Sequence, residues 1–348
     1  MSHASCAARP ILPLWRLPVR ALTFDGTTPR LARNHPEPTL QPGWALVHPT
    51  LLAIDSTDLA LVKGRIPHRG VFGHLFVGTV EQVRPDAGGG EQIRGRRVVG
   101  SINIVPPESD LARRGLGNHA HERRILGLRH MDGCFADRFG IPLHNLIPVP
   151  ETISDEQAVL IEPLAAALHA SRITRIEGKP YVTIIGDDPV ALLSAQLMTR
   201  LNASVRVLGT SPQRLALCDK WQIKHRAVDE AGLRQDQDIV IECTGEAASV
   251  ARAMQMVRPR GRIVLRSPVL PTPDAESTGH GPNLTPVILN EIELLGARCG
   301  NMSEALSVLS RQPIDLVSLI TRRFRFDDAM EALRVASEPG AMFVVMEV

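Results

Sequence analysis

Two rhythms divide the chain. From Ala21 to about Gly100, short alternating apolar runs such as WALVHPTLLAI, FVGTVEQV and RRVVGSINIV are cut by Pro and Gly. Period-two patterning bounded by turn formers predicts strands, and several in succession predict a β-rich unit with many turns. DAGGG, Asp86 to Gly90, is a loop by composition. The rhythm changes after SDEQAVLIEPLAAALHAS, a helical run that Ser154 is placed to cap with Gln157 three residues on. From there strand-like YVTIIG, SVRVLG, DIVIECTG and GRIVLRS alternate with helical VALLSAQLMTRL, PQRLALCDKW and ASVARAMQMV. That alternation predicts βαβ units and an α/β architecture, a doubly wound parallel sheet of the Rossmann type in the middle of the chain. HRAVDEAGLRQDQD reads as a surface helix and turn, Pro268 to Pro282 as a mobile loop, and IELLGARCG as a buried strand.

Composition narrows the function more than the fold. The 348 residues are 44% hydrophobic, enough for two domains or one large one, and the charge of +2 comes from 39 basic and 37 acidic residues intermixed along the chain. No basic stripe argues for nucleic acid or a membrane surface, so a small molecule is the expected partner. Five cysteines without a C-x-x-C pair fit reduced thiols and a cytoplasmic setting. Residues 1–20 read as a flexible leader, because Pro13, Arg16 and Pro18 break their apolar stretch.

Gly186-Asp187-Asp188-Pro189-Val190-Ala191 follows YVTII and opens a helix, the context that a G-x-G-x-x-G/A dinucleotide fingerprint requires. Gly186 supplies the first position and Ala191 the third, while Asp188 replaces the glycine that lets backbone approach a pyrophosphate. Two readings stand together. Asp188 and Pro189 open the helix as N-cap and first-turn residue with no ligand, or Asp188 turns outward and leaves a weakened phosphate site. At the end of the second strand, where an acid would hold the ribose of NAD, the pattern places Gly209, then Thr210, Ser211 and Arg214. Small hydroxyls and an Arg suit a 2′-phosphate and hence NADP, with NAD as the alternative; Thr210 and Ser211 equally suit a helix cap.

The run LLAIDSTDLALVKGRIPHRGVFGHLFVGTV, with IEPLAAAL, IECTG and VLRS further on, resembles the zinc-type alcohol dehydrogenase branch of the medium-chain dehydrogenase/reductases nearly throughout the chain after Ala21. The resemblance implies a GroES-like β-barrel catalytic domain, residues 21–165 and 302–348, around a Rossmann domain, residues 166–301. It also implies a hydride transfer between NADP(H) and an alcohol or carbonyl, and a homodimer or homotetramer paired through IELLGARCG. Pro106, Ser109, Ala112 and Ala120 stand where the family has four structural-zinc cysteines, so no structural zinc is expected.

For the catalytic metal, the resemblance places Asp55 where the family has Cys, keeps His74, and gives Glu162 as the third ligand. This one-imidazole, two-carboxylate set suits zinc or a harder ion. Thr57 would relay the proton and Asp58 would orient His74. Asp55 paired directly with His74 without an ion is the competing reading, and such a pair could serve as acid or base in a metal-free reductase. Thr244, Gly245 and Arg266 would lie beside the cofactor, and Phe343 stands where relatives often carry a basic phosphate partner. A catalytically impaired pseudoenzyme acting as a binding or regulatory module is the remaining alternative. His119, His121 and Glu122 read as a solvated loop.

Overall fold

The computed structural model describes residues 18–84, 90–268 and 283–348. Most of DAGGG, the loop predicted over Pro268 to Pro282 apart from Pro268 itself, and residues 1–17 of the leader lie outside the described residues.

The β-rich half forms around the strand Trp44–Ile54, which pairs antiparallel with Leu75–Arg84, with Phe139–Pro142 and with the C-terminal strand Phe343–Glu347. With Leu146–Pro148, Arg97–Gly100 and Ile320–Arg325 these make a seven-stranded sheet, and Val19–Phe24 is the centre of a three-stranded companion. The alternation seen in the sequence places Leu22, Phe24, Val47, Leu52, Phe76 and Val344 in one core. The strands Ile320–Arg325 and Phe343–Glu347 of the tail thus lie in the same sheet as Trp44–Ile54. Phe343 sits in this strand, buried.

The middle of the chain is a six-stranded parallel sheet. Its spatial order is Lys224–Ala227, Ser204–Gly209, Tyr181–Ile185, Gln237–Glu242, Val257–Leu265, Glu293–Gly296. Counted along the sequence this is 3-2-1-4-5-6, the order of a dinucleotide-binding sheet, with its reversal beside the first strand. Helices Pro189–Arg200, Pro212–Lys220 and Ala247–Met256 connect the strands. The helical run at Ser154 is capped as expected, with Ser154 and Gln157 bonding each other's backbone N–H in a capping box.

Two local expectations are corrected. The start of HRAVDEAGLRQDQD is a strand, because Arg206 to Gly209 offer parallel partners to Lys224 to Ala227. IELLGARCG is an edge strand rather than a buried one: it pairs only with Val257–Leu265 on one side, and Glu293, Leu294 and Gly296 are exposed.

The two halves share a core. Leu51, Ala53, Leu75 and Val77 of the barrel pack in one continuous cluster with helix Ile161–Ile173, with Val182 and Ile184 of the parallel sheet and with Leu192 of the helix Pro189–Arg200. The helix Met302–Arg311 buries Met302, Ala305, Leu306 and Leu309 in the same cluster.

Val345 is fully buried between the strands Trp44–Ile54 and Ile320–Arg325. Val345→Ala should lower the unfolding free energy by about 2 kcal/mol, measured by urea denaturation, because it removes buried methyl groups at the seam between first and last segments.

Candidate active site

The strand Trp44–Ile54 ends at Asp55, whose extended backbone and side chain start the helix Ser56–Val62. Asp55 Oδ1 accepts from the backbone N–H groups of Thr57 at 2.7 Å and Asp58 at 3.1 Å, and Asp58 Oδ2 accepts from the backbone N–H of Asp55 at 3.1 Å. This reciprocal capping box fixes both carboxylates before any ligand is considered. It also spends an oxygen of each.

The oxygens left over face one imidazole. His74 Nδ1 lies 3.3 Å from Asp58 Oδ1, and His74 Nε2 lies 3.6 Å from Asp55 Oδ2. His74 is 3% exposed and Asp58 is sealed, while 16% of the Asp55 side chain reaches solvent. Thr57 Oγ1 donates to Asp55 Oδ2 at 3.2 Å. A hydroxyl, a carboxylate, an imidazole and a second carboxylate thus run from the half-exposed edge to the interior.

His74 is aimed by its neighbour. Gly73 has φ +91°, and a Cβ there would sit 2.2 Å from the ring of Phe135, so only glycine passes the chain between the barrel strands and this aromatic. Gly127 and Gly133 themselves lie against the Gly73 carbonyl, which a Cβ at either would meet at 2.2 and 2.3 Å.

Electrostatics follow from burial with both ring nitrogens facing acids. Burial works against a charged His74, yet Asp55 and Asp58 outweigh it and raise its pKa well above 6.5. Burial also pushes the Asp58 carboxyl up, more than the charge of His74 pulls it down. At Asp55 burial works upward but is overcome by the charge and hydrogen bond of His74 and by the backbone N–H groups, and the carboxyl is held below its ordinary value.

Among the described residues, the His, Cys, Asp and Glu side chains close enough to share an ion are Asp55, Asp58 and His74, with donor atoms within 4.8 Å of one another. Glu162 is outside this group. It stands in the first turn of Ile161–Ile173, raised by burial against the charges of His74 and Arg266, and takes a hydrogen bond from Cys299. Sequence reasoning did not single out Cys299; a lone cysteine in a strand-to-loop passage carries no signal of its own. His119, His121 and Glu122 are exposed.

The second half of the site lies on the C-terminal edge of the parallel sheet. Gly186 has φ +117° and Ala191 is fully buried, as a tight strand-to-helix turn needs. Asp188 caps the helix Pro189–Arg200, its Oδ1 accepting from Ala191 N–H at 2.6 Å, with Pro189 in the first turn. Burial raises its pKa. Thr244 and Gly245 curl around Glu242, which is fully buried and accepts from Thr244 N–H at 2.7 Å and Gly245 N–H at 3.2 Å. Ser211 caps the helix Pro212–Lys220.

Thr210, Ser211 and Arg214 do come together, around a residue the sequence did not flag. Asp187 Oδ2 accepts from the backbone N–H groups of Thr210 and Ser211, both at 2.7 Å, and Asp187 Oδ1 pairs with Arg214 Nη1 at 3.4 Å. The signal was present: a second acid beside Asp188, and a small-residue turn with an arginine to receive it. Arg266 follows the strand Val257–Leu265, its Nε buried without a partner. Its charge reaches both Glu162 and Asp188 and works against the upward push of burial on each carboxyl.

The GroES-like domain of alcohol dehydrogenases matches residues 41–151. L-threonine 3-dehydrogenases from Chelativorans sp. (strain BNC1) and Mesorhizobium japonicum are 26% and 27% identical, covering 90% of this chain and 93% of theirs. The chain is thus similar to named dehydrogenases over most of its length. Alcohol dehydrogenase TADH from Thermus sp. ATN1 has the same fold, with TM-score 0.83 and 24% identity over 94% of this chain and 99% of that one. A candidate zinc-binding dehydrogenase from Sinorhizobium meliloti 1021, solved bound to NADP, superposes with TM-score 0.83 at 22% identity over 95% of this chain and 99% of its own. This chain carries Asp55 and Asp58 around His74 and carboxylates at three turns of the Rossmann edge.

The raised His74 pKa fixes a sign. The stabilisation from protonated His74 is fully present below 6.5 and is lost as pH rises through the raised value. In a pH titration followed by NMR, the His74 ring should stay protonated above 6.5, and Asp58→Asn should move its transition downward. A ring that titrates at its ordinary value in both proteins would contradict the geometry.

Proposed function

We propose that this chain is an NAD(P)-dependent oxidoreductase that interconverts a small alcohol and its carbonyl, with His74 as a metal-free acid and base. The supporting observation is the Rossmann-type strand order with a tight glycine turn at Gly186, together with Arg266, whose charge reaches both Glu162 beside the barrel site and Asp188 at that turn. The relatives named as dehydrogenases support the same class.

The residues fit a nicotinamide dinucleotide along Gly186, Ala191 and the Thr244–Gly245 turn, with the unpartnered Nε of Arg266 available to a phosphate. When bound, the dinucleotide supplies or accepts the hydride. The chain handles the proton. Thr57 stands at the half-exposed end, donates to Asp55, and connects through it to His74, which gives the proton to a carbonyl oxygen on reduction and recovers it on oxidation. Asp58 holds the ring from behind and favours its charged form.

A zinc ion fits this donor set less well than a proton does. Both ring nitrogens face carboxylates, so a metal at His74 would first have to displace a ring proton that those carboxylates hold. The thiolate of the family pattern is replaced by Asp55, which is already engaged as a helix cap. Metal-free acid–base chemistry is therefore preferred to zinc.

Two wider proposals accompany this function. The exposed edge Glu293–Gly296, beside Ile288 and Leu289 at 79% and 76% exposure, is the surface through which two copies would pair as a homodimer. A cytoplasmic setting is supported by the free thiols of Cys134, Cys218, Cys243 and Cys299, and among the described residues no helix is long and apolar enough to cross a membrane.

Purified protein should oxidise NADH or NADPH in the presence of an aldehyde or ketone from a substrate panel, and treatment with a chelator should leave the rate unchanged. His74→Asn should lower kcat by about a hundredfold or more while leaving dinucleotide affinity in place, as expected for loss of a positioned acid. Failure to bind either dinucleotide would sink the proposal and favour the binding-module alternative. Light scattering on a size-exclusion column should give twice the chain mass, and Leu294→Lys should shift it towards the monomer.

A further inference from the structure

The turn after Ser204–Gly209 is a finished anion cradle. Two consecutive backbone N–H groups, from Thr210 and Ser211, point at one oxygen, and the guanidinium of Arg214 stands at the other. Arg214 is itself anchored, its Nη2 donating to Ala341 O at 2.7 Å. Such a set of donors would hold a phosphate at the end of the second strand of a doubly wound sheet. Here it holds the side chain of Asp187, 6% exposed.

The fit is close. A Cβ at Gly209 would lie 2.5 Å from Asp187 Oδ2 and 2.7 Å from Asp187 Cβ, so glycine at 209 makes room for this carboxylate. The acid comes from an unexpected place. The usual rule puts an acid at the end of the second strand, and that position is Gly209; Asp187 reaches the same spot from the glycine turn, one residue after Gly186.

We infer that Asp187 is the residue that selects the cofactor, filling the 2′-phosphate position from within and making the chain prefer NAD(H) to NADP(H). This rests on the dinucleotide reading above. A 2′-phosphate entering the cradle would have to displace a buried carboxylate or lie against it, and like charges brought together there cost several kcal/mol. A ribose hydroxyl meets no such conflict, because Asp187 Oδ1, held only by the 3.4 Å contact with Arg214, retains capacity to accept a hydrogen bond.

Calorimetric titration of the full chain with NADH, NADPH and 2′-AMP tests the inference without turnover. Wild type should bind NADH at least about tenfold more tightly than NADPH, and should not take up 2′-AMP. Asp187→Ser, which frees Thr210 N–H, Ser211 N–H and Arg214 together, should gain NADPH and 2′-AMP binding and narrow or reverse that ratio. Asp187→Asn keeps the shape and removes the charge; it should raise NADPH affinity less, and it serves if the serine variant does not fold. Wild type that prefers NADPH, or variants whose NADH to NADPH ratio is unchanged, would overturn the role of Asp187 while leaving the oxidoreductase proposal standing. If NADH also fails to bind wild type and variants, the dinucleotide reading itself falls and takes this inference with it.

Discussion

A carboxylate taken out of water must be met by donors or by a cation, and the site of this protein is built from that requirement. Asp55, Asp58, Asp187, Asp188 and Glu242 each receive backbone N–H groups from a turn or helix start. In the barrel, the acids spend part of their capacity on the helix Ser56–Val62 and the remainder on His74. Along the parallel sheet they close off donors that a doubly wound fold usually leaves for its ligand. The same interaction shapes both halves and gives them opposite characters, a charged imidazole in one and a row of occupied turns in the other.

Arg266 gains its importance from that imbalance. Its Nε is buried without a partner, and the acids around it hold their own N–H donors. A buried guanidinium N–H with no hydrogen-bond partner among the described residues is costly unless something arrives to use it. The shared core that runs from Leu51 and Leu75 through Ile161–Ile173 to Val182 ties the barrel to the parallel sheet.

The fold was legible because its signals are periodic. Alternation gave the barrel strands, the strand and helix rhythm gave the parallel sheet, and Ser154 with Gln157 gave a helix start. Asp188 and Pro189 read correctly as a helix opening for the same reason: a cap is a local event. Failures arose where the answer depends on distant partners. Lys224 to Ala227 form a strand only because Arg206 to Gly209 lie beside them, and IELLGARCG looks buried by composition although nothing covers its outer edge. In the site, Asp55, Asp58 and His74 were named through the family resemblance, whereas the presence of Asp58 rather than Glu162 in the tight group depends on how the helix Ser56–Val62 is turned. Asp187 escaped notice because its partners, Thr210, Ser211 and Arg214, lie a full strand and helix away.

The strand Phe343–Glu347, lying against Trp44–Ile54, bears on how the chain is made. As the protein emerges from the ribosome, the early barrel strands appear first, and the parallel sheet between them is completed while their neighbour is still unsynthesised. Trp44–Ile54 therefore spends most of translation with an open flank on the side that Phe343–Glu347 later fills, a template for pairing with the wrong chain. Closure waits for Phe343–Glu347. A chain interrupted before that strand would carry a finished nucleotide-type sheet beside a barrel whose Trp44–Ile54 flank is unpaired.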